Sequence, residues 1–127
     1  MAEGERADGS ARAQIVQLCR YLGLNAHPSF KLVGSDRVSS QRIKHQIIYR
    51  LDALKPYSGP SPHCPADTEK EVGITLLYEG GHEVTIAVDL SGCTSARNGD
   101  ITRPAYNTRA GRRLLSQLKA LTPRQQD

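Results

Sequence analysis

The chain is poor in aromatic residues: its 127 residues include no tryptophan, one phenylalanine and five tyrosines. A core with so few large rings must be mainly aliphatic, and β-branched and leucine side chains of this kind fill strands and amphipathic helices. A chain of this length can bury a core of its own. We therefore expect one domain with an aliphatic core.

Long apolar runs are also missing. No stretch approaches the roughly 18 apolar residues that span a bilayer, and no hydrophobic segment of a signal peptide follows Met1. We expect neither a transmembrane segment nor an export signal within these residues. Residues 1–12 and 122–127 offer little to bury, so we expect them to be flexible tails of a single domain at 13–121.

Motifs of cofactor and metal chemistry are absent. The sequence contains no glycine-rich phosphate-binding pattern. His63, Cys64 and Asp67 lie close together, but they lack the paired Cys/His spacing of a zinc site. We expect no cofactor and no metal.

Catalysis is not expected either. In a predicted hairpin, Ser91 and Asp89 lie at the open end and His82 at the turn, so that about 25 Å of strand separates the serine from the histidine. These residues cannot converge as a triad. Glu69 and Glu71 share a strand face that we expect to be solvated, without the burial that perturbs the pKa of a carboxyl. The sequence predicts a protein that is not an enzyme.

The hairpin is the clearest element of local structure. Two runs of alternating apolar residues, 72–78 and 84–90, predict its strands. A three-residue loop at 79–81 pairs Leu76 with Val84 and keeps the apolar side chains of both strands on one face. A two-residue loop would slip the register by one residue and turn an apolar face to water. A loop at 80–82 keeps the parity but sets Glu79 against Glu83, and like charges directly opposite each other are unfavourable.

Two segments carry apolar residues at helical spacing. The first begins after Ser39 or Ser40 and ends near Leu54, before a proline. The second begins near Asn107 or Thr108 and ends near Leu121, again before a proline. Both predicted helices are amphipathic, so the apolar stripe of each needs an apolar surface to pack against.

The N-terminal part is ambiguous, because residues 15–22 fit a strand by composition and a helix by periodicity. We favour a strand, followed by another at 31–39, since each half of the chain then runs strand, strand, helix. The predicted fold is α+β: an antiparallel sheet of about four strands (ββαββα) with two helices packed on one face. Residues 101–103 could form a short extra strand.

Three cysteines leave at least one thiol without a partner in the chain. Cys64 and Cys93 flank the open end of the hairpin, and we favour a disulfide between them, with Cys19 as the free thiol. Such a bridge would stabilise the fold by roughly 3–4 kcal/mol in the chain-entropy treatment, and it would indicate an oxidising compartment. The alternative is two buried thiols.

The net charge of +4 is unevenly distributed. The charged residues of 67–90 are mostly acidic, and those of 95–124 are mostly basic. One interpretation is internal neutralisation, with a basic helix near an acidic sheet edge; the other is a basic face directed at an acidic partner. The candidate contact residues for the second interpretation are Arg97, Arg103, Arg109, Arg112 and Arg113.

The order of several short motifs along the chain resembles that of a known group of proteins. The most specific of these motifs are Cys-Pro-Ala-Asp at 64–67 and Ser-Gly-Cys at 91–93. Over about residues 15–121 the chain resembles uncharacterised exported and lipoprotein-like proteins of actinobacteria. The resemblance implies an extracellular or cell-surface location and a bridge between Cys64 and Cys93. It implies no activity.

Taken together, these features predict a non-catalytic secreted or surface-tethered interaction domain that binds a protein or an anionic envelope polymer. One alternative is a nucleic-acid-binding protein that uses the basic C-terminal helix; it is less favoured, because side chains on which bases could stack are scarce. Another is a small secreted protease inhibitor that presents the loop at 58–64, although no residue there selects a protease.

Overall fold

A computed structural model describes residues 13–21, 32–59, 64 and 70–122 of the chain. Within them the order of elements is ββαββββα, and the strands form one antiparallel sheet in the order β2-β1-β3-β4-β5-β6. The elements are β1 (Ala13–Tyr21), β2 (Leu32–Arg37), α1 (Gln41–Asp52), β3 (Glu71–Tyr78), β4 (Glu83–Asp89), β5 (Ser95–Asn98), β6 (Ile101–Pro104) and α2 (Arg109–Leu121).

The α+β prediction is confirmed, with an antiparallel sheet, two helices and a strand rather than a helix at 15–21. The predicted number of about four strands was too low, because the sheet has six. Strand β6 matches the short strand considered at 101–103, whereas β5 was not predicted. Of the four residues in β5, Ala96 alone is buried, so its sequence carries no alternating apolar pattern.

One face of the sheet is buried, and the other is open. Burial alternates along β3 and β4, with every second side chain fully inside. Val16 and Leu18 of β1 extend the same buried face, and the apolar stripes of α1 and α2 belong to the same core. Because every side chain changes face at each step along a strand, this parity fixes which residues face the helices.

The β3–β4 hairpin has the predicted register. Leu76 pairs with Val84, and the Tyr78 amide donates a hydrogen bond of 2.8 Å to the carbonyl of His82 across a three-residue loop. Gly81 has φ +89°, a left-handed conformation in which L side chains are strained. The loop length inferred from the apolar pattern is thus confirmed.

The predicted disulfide between Cys64 and Cys93 is also confirmed, with Cα atoms 5.1 Å apart. It ties the segment before β3 to the turn between β4 and β5. Cys19 is the free cysteine and is half-buried on the open face of the sheet. The expectations for His63, Asp67, Glu69 and the segment 1–12 lie outside the described residues, as do those for 123–127.

The two helices lie antiparallel over the sheet. Ile43, near the start of α1, and Leu121, at the end of α2, line the same small cavity. Each helix is capped by the second of the two neighbouring residues that the sequence offered for its start. The hydroxyl of Ser40 accepts the amide of Ile43 at 3.3 Å, and the hydroxyl of Thr108 accepts the amide of Gly111 at 3.0 Å.

Basic side chains hold the helices on the sheet. The Lys44 ammonium of α1 is buried and donates a hydrogen bond of 2.9 Å to the carbonyl of Gln14 in β1. Arg20 of β1 is buried as well and reaches the hydroxyl of Thr122, the C-terminal cap of α2, at 3.2 Å. The C-terminal end of a helix carries partial negative charge, so a cation placed there stabilises the packing.

Candidate anion-binding site

The structure divides the five arginines predicted as contact residues among three places. Arg97 lies on the open face of the sheet, and Arg103 lies next to the end of α1. Arg109, Arg112 and Arg113 lie together on the first two turns of α2. The predicted set is therefore not one surface, and each part must be considered by its own contacts.

Arg97 fits the interpretation of internal neutralisation. Its guanidinium donates to a carboxylate oxygen of Asp89 at 2.6 Å and to one of Glu71 at 3.2 Å. The hydrogen bond to Asp89 raises the pKa of Arg97, which keeps the guanidinium charged. Since two carboxylates of the acidic hairpin pair with Arg97, the charge of this arginine is largely neutralised within the fold.

Arg103 also has a partner within the fold. Its guanidinium donates a hydrogen bond of 2.9 Å to the carbonyl of Leu54, just beyond the C-terminus of α1. This contact gives a partner to a buried backbone carbonyl that lies outside the helix, and it attaches strand β6 to the segment that follows α1. Arg103 is thus a connection between elements.

Glu71 should make the stability of the protein depend on pH. Glu71 was expected to be solvated, and that expectation is wrong because the residue is half-buried. Burial raises the pKa of Glu71 above its usual value, and the nearby Arg97 lowers it only in part. The folded state then binds the proton more tightly than the unfolded state, so the stability that this group contributes is present at low pH and is lost as the pH rises through its folded pKa. We expect Glu71→Gln to remove this loss in urea unfolding measured from pH 4 to 7.

The control for that experiment is Glu83→Gln, which changes an exposed carboxylate at the start of β4. Its difference from the wild type should stay nearly constant with pH. A constant difference for Glu71→Gln as well would contradict the assigned effect of burial.

The three arginines of α2 meet two arginines of α1 across a groove between the helices. An open cavity of about 850 Å³ lies there, and a second hollow of about 580 Å³ adjoins it and shares several of the same side chains. We call this surface the arginine groove, defined by Arg42, Arg50, Arg109, Arg112 and Arg113. Its other lining residues are His45, Gln46, Tyr49, Ala110, Ser116 and Gln117. No acidic residue lines either hollow in the described part of the chain.

Hydrogen bonds between glutamines and an arginine connect the two sides of the arginine groove. Arg50 donates to the side-chain oxygen of Gln117 at 2.7 Å, and the amide nitrogen of Gln117 donates to Gln46 at 2.9 Å. These two hydrogen bonds connect α1 to α2 and α2 back to α1. They fix the separation of the helices and orient one guanidinium of the groove.

The charge distribution of α2 is unfavourable for the isolated helix. The first turn of either helix contains no acidic residue, although the partial positive charge of a helix N-terminus favours anions. Instead, Arg109, Arg112 and Arg113 follow the cap Thr108, with like charges three and four residues apart. Arg112 donates to the carbonyl of Tyr106 at 3.2 Å. An anion bound in the groove would relieve the repulsion that the sequence has placed there.

The α1 residues of the groove were not predicted. Arg42, His45 and Tyr49 lie on the exposed side of α1, which the sequence presents as an ordinary solvated helix face. Tyr49 is 73% exposed, the most exposed of the large hydrophobic residues in the described part of the chain. A tyrosine on the polar side of an amphipathic helix was the signal that could have indicated this site.

The open face of the sheet is the second polar surface. Cys19, Gly73, Ala87 and Arg97 form one row across four neighbouring strands. The ring of Tyr21 lies 3.5 Å from where a side chain at Gly73 would begin. Burial raises the pKa of Tyr21, and so does its contact with the Cys19 thiol. Arg97, the charged residue of this row, has carboxylate partners in Asp89 and Glu71. The arginine groove, in contrast, has no acidic lining residue.

Other kinds of site receive no support from these contacts. Among the described residues there is no group of three His, Cys, Asp or Glu side chains that could hold a metal ion. No helix in the described ranges is long and apolar enough to cross a membrane. Comparisons of the chain with protein-family models, curated proteins and solved structures found no match.

Proposed function

We propose that this protein is a non-catalytic binding domain for an anionic polymer, and that the arginine groove is its contact surface. The observation that carries the proposal is the convergence of five arginines from two helices around one groove with no acidic lining residue. Arginine binds carboxylates and phosphates through paired hydrogen bonds. A groove of this composition is therefore suited to successive anionic groups.

The length of the groove supports a polymer rather than a single small anion. Helix α1 has 12 residues and α2 has 13, and at 1.5 Å per residue each extends for about 20 Å. Two adjoining hollows along these helices offer places for more than one charged unit. A polymer would engage several arginines at once.

The disulfide supports a location in oxidising surroundings, at the cell surface or outside the cell. The resemblance to exported proteins of actinobacteria points to the same compartment. Cys64 and Cys93 thus favour an envelope polymer over an intracellular nucleic acid as the anionic partner.

A protein partner is less favoured by the exposed apolar residues. Among the described residues these are Leu32, Tyr49, Tyr57 and Ile101, and they lie on different elements or loops. The core of a protein interface is usually a contiguous patch that is depleted of charge. The groove has the opposite composition.

Charge reversal in the groove tests the proposal. We expect Arg109→Glu with Arg113→Glu to weaken binding of a labelled polyanion by at least about a hundredfold, since each charge-assisted contact is worth on the order of 1.5–3 kcal/mol. Fluorescence anisotropy with oligogalacturonate and with inorganic polyphosphate, at increasing salt, measures this effect. The affinity of the wild-type protein should fall steeply with salt.

The matched control is Arg37→Glu, which reverses an exposed arginine of β2 outside the groove. It should change the affinity less than threefold, as expected for a charge that does not contact the ligand. Equal losses for Arg37→Glu and the double variant would contradict the proposed surface, as would binding that is insensitive to salt.

A further inference from the structure

We infer that the ligand of the arginine groove is an acidic polysaccharide, in which sugar rings carry carboxylate groups. The inference rests on the proposed function and names its ligand class. The added observation is an exposed aromatic ring among the cations: Tyr49 lines the same cavity as Arg42, Arg109 and Arg113.

Tyr49 gives the groove a flat apolar surface. Tyr49 is 73% exposed, and it lies on a helix whose other side packs into the core. On the α2 side of the cavity, Ala110 contributes only a small side chain. A sugar ring has an apolar C–H face and polar edges, so it can stack on the tyrosine while its substituents reach the surrounding polar groups.

The arginines complement the acidic groups of such a chain. Arg109 and Arg113 are four residues apart, which places their Cα atoms about 6 Å from each other along the helix axis. Each planar guanidinium can take one carboxylate with two parallel hydrogen bonds.

The volume and the number of rings favour a sugar chain over a nucleic acid. The cavity of about 850 Å³ lies within the usual range for sites that hold small organic ligands, so a short oligosaccharide segment fits it. Proteins that bind single-stranded nucleic acids stack successive bases on several aromatic side chains. Tyr49 is the one aromatic ring other than His45 that lines this cavity among the described residues.

The test compares ligands of equal charge with and without rings. The probes are a labelled oligogalacturonate, an inorganic polyphosphate and a single-stranded oligothymidylate, and the variants are Tyr49→Ala and Tyr49→Phe. We expect Tyr49→Ala to weaken oligogalacturonate binding roughly tenfold and polyphosphate binding less than about twofold, because polyphosphate has no ring to stack. Tyr49→Phe keeps the ring and should restore most of the affinity.

Tyr57→Ala is the control for loss of an exposed tyrosine, because Tyr57 lies outside the arginine groove and is 40% exposed. Circular dichroism of each variant checks the fold. If Tyr49→Ala leaves oligogalacturonate binding unchanged while the double arginine variant abolishes it, the inference is overturned and the proposed function stands. If the double arginine variant binds all three probes as the wild type does, the proposed function itself is wrong.

One further outcome would overturn the inference. Tighter binding of oligothymidylate than of oligogalacturonate at equal charge, lost in Tyr49→Ala, would identify a nucleic acid as the ligand. The reverse order of affinities, with the same dependence on Tyr49, supports the polysaccharide.

Discussion

Gly111→Ala should destabilise the protein by about 3 kcal/mol or more, although the same change inside an ordinary helix stabilises it by up to about 1 kcal/mol. A Cβ atom at position 111 would lie 2.1 Å from the carbonyl oxygen of Ala105 and 2.7 Å from its Cα. These are backbone atoms, so no side-chain rotation can relieve the clash. Helix α2 would have to move away from the segment that precedes it.

That segment is itself held in place. Ala105 is fully buried, and its amide donates a hydrogen bond of 2.9 Å to the carbonyl of Thr94 beside β5. A shift of α2 would also move Arg109 and Arg113 relative to α1, since both follow within two turns of the helix start. We therefore expect weaker polyanion binding together with the loss of stability.

Urea unfolding followed by circular dichroism measures the effect. Ser116→Ala provides the control, because Ser116 is exposed on the same helix and such substitutions usually change stability by less than about 0.5 kcal/mol. A Gly111→Ala protein that is more stable than the wild type would show that the helix is not in close contact with the backbone at Ala105.

Removing the disulfide should have an effect of similar size. We expect Cys64→Ser with Cys93→Ser to lower the free energy of unfolding by about 3–4 kcal/mol. The two cysteines are 29 residues apart in sequence, and without the bridge the unfolded chain regains the conformations that a closed loop of this size forbids. This loss is a large part of the net stability of a small domain.

The location of the bridge adds to the expected effect. Cys93 lies in the turn that leads from β4 to β5, and β5 pairs with β4 through two residue pairs only, one of them Val88 with Ala96. Loosening this turn should therefore expose the outer strands β5 and β6 first. Hydrogen exchange on the double variant should show faster exchange there than in β1 and β3.

Cys19→Ser is the control for the loss of a thiol, since Cys19 is free and half-buried on the open face. It should change stability by less than about 1 kcal/mol. Mass spectrometry of alkylated, non-reduced protein should find one free thiol. Three free thiols, or a double serine variant as stable as the wild type, would contradict the stabilising role of the bridge.

Local patterns were sufficient to predict most of the sheet and both helices. The hairpin register followed from two arguments: parity excludes a two-residue loop, and a loop at 80–82 would place the like charges of Glu79 and Glu83 opposite each other. Capping residues located both helix starts to within one residue, and the structure selects Ser40 and Thr108 as the caps. Strand β5 was missed because it depends on tertiary pairing and presents a single buried residue, Ala96.

The site could be predicted only in part. The charge distribution of the sequence indicated Arg109, Arg112 and Arg113 as contact residues. It also indicated Arg97 and Arg103, whose hydrogen bonds lie within the fold. The α1 side of the groove depends on how two helices approach each other, and no local pattern encodes that approach. The polar side of α1 therefore looked like any solvated helix face in sequence.

The central claim is that an anionic chain binds between α1 and α2, and an NMR titration tests it most directly. Amide chemical shifts of the isotope-labelled protein would be followed as oligogalacturonate is added at low salt. We predict saturable shifts centred on Arg42, Tyr49, Arg109 and Arg113 that disappear at high salt. Shifts centred on the open sheet face around Arg97, or no shifts at low salt, would contradict the account.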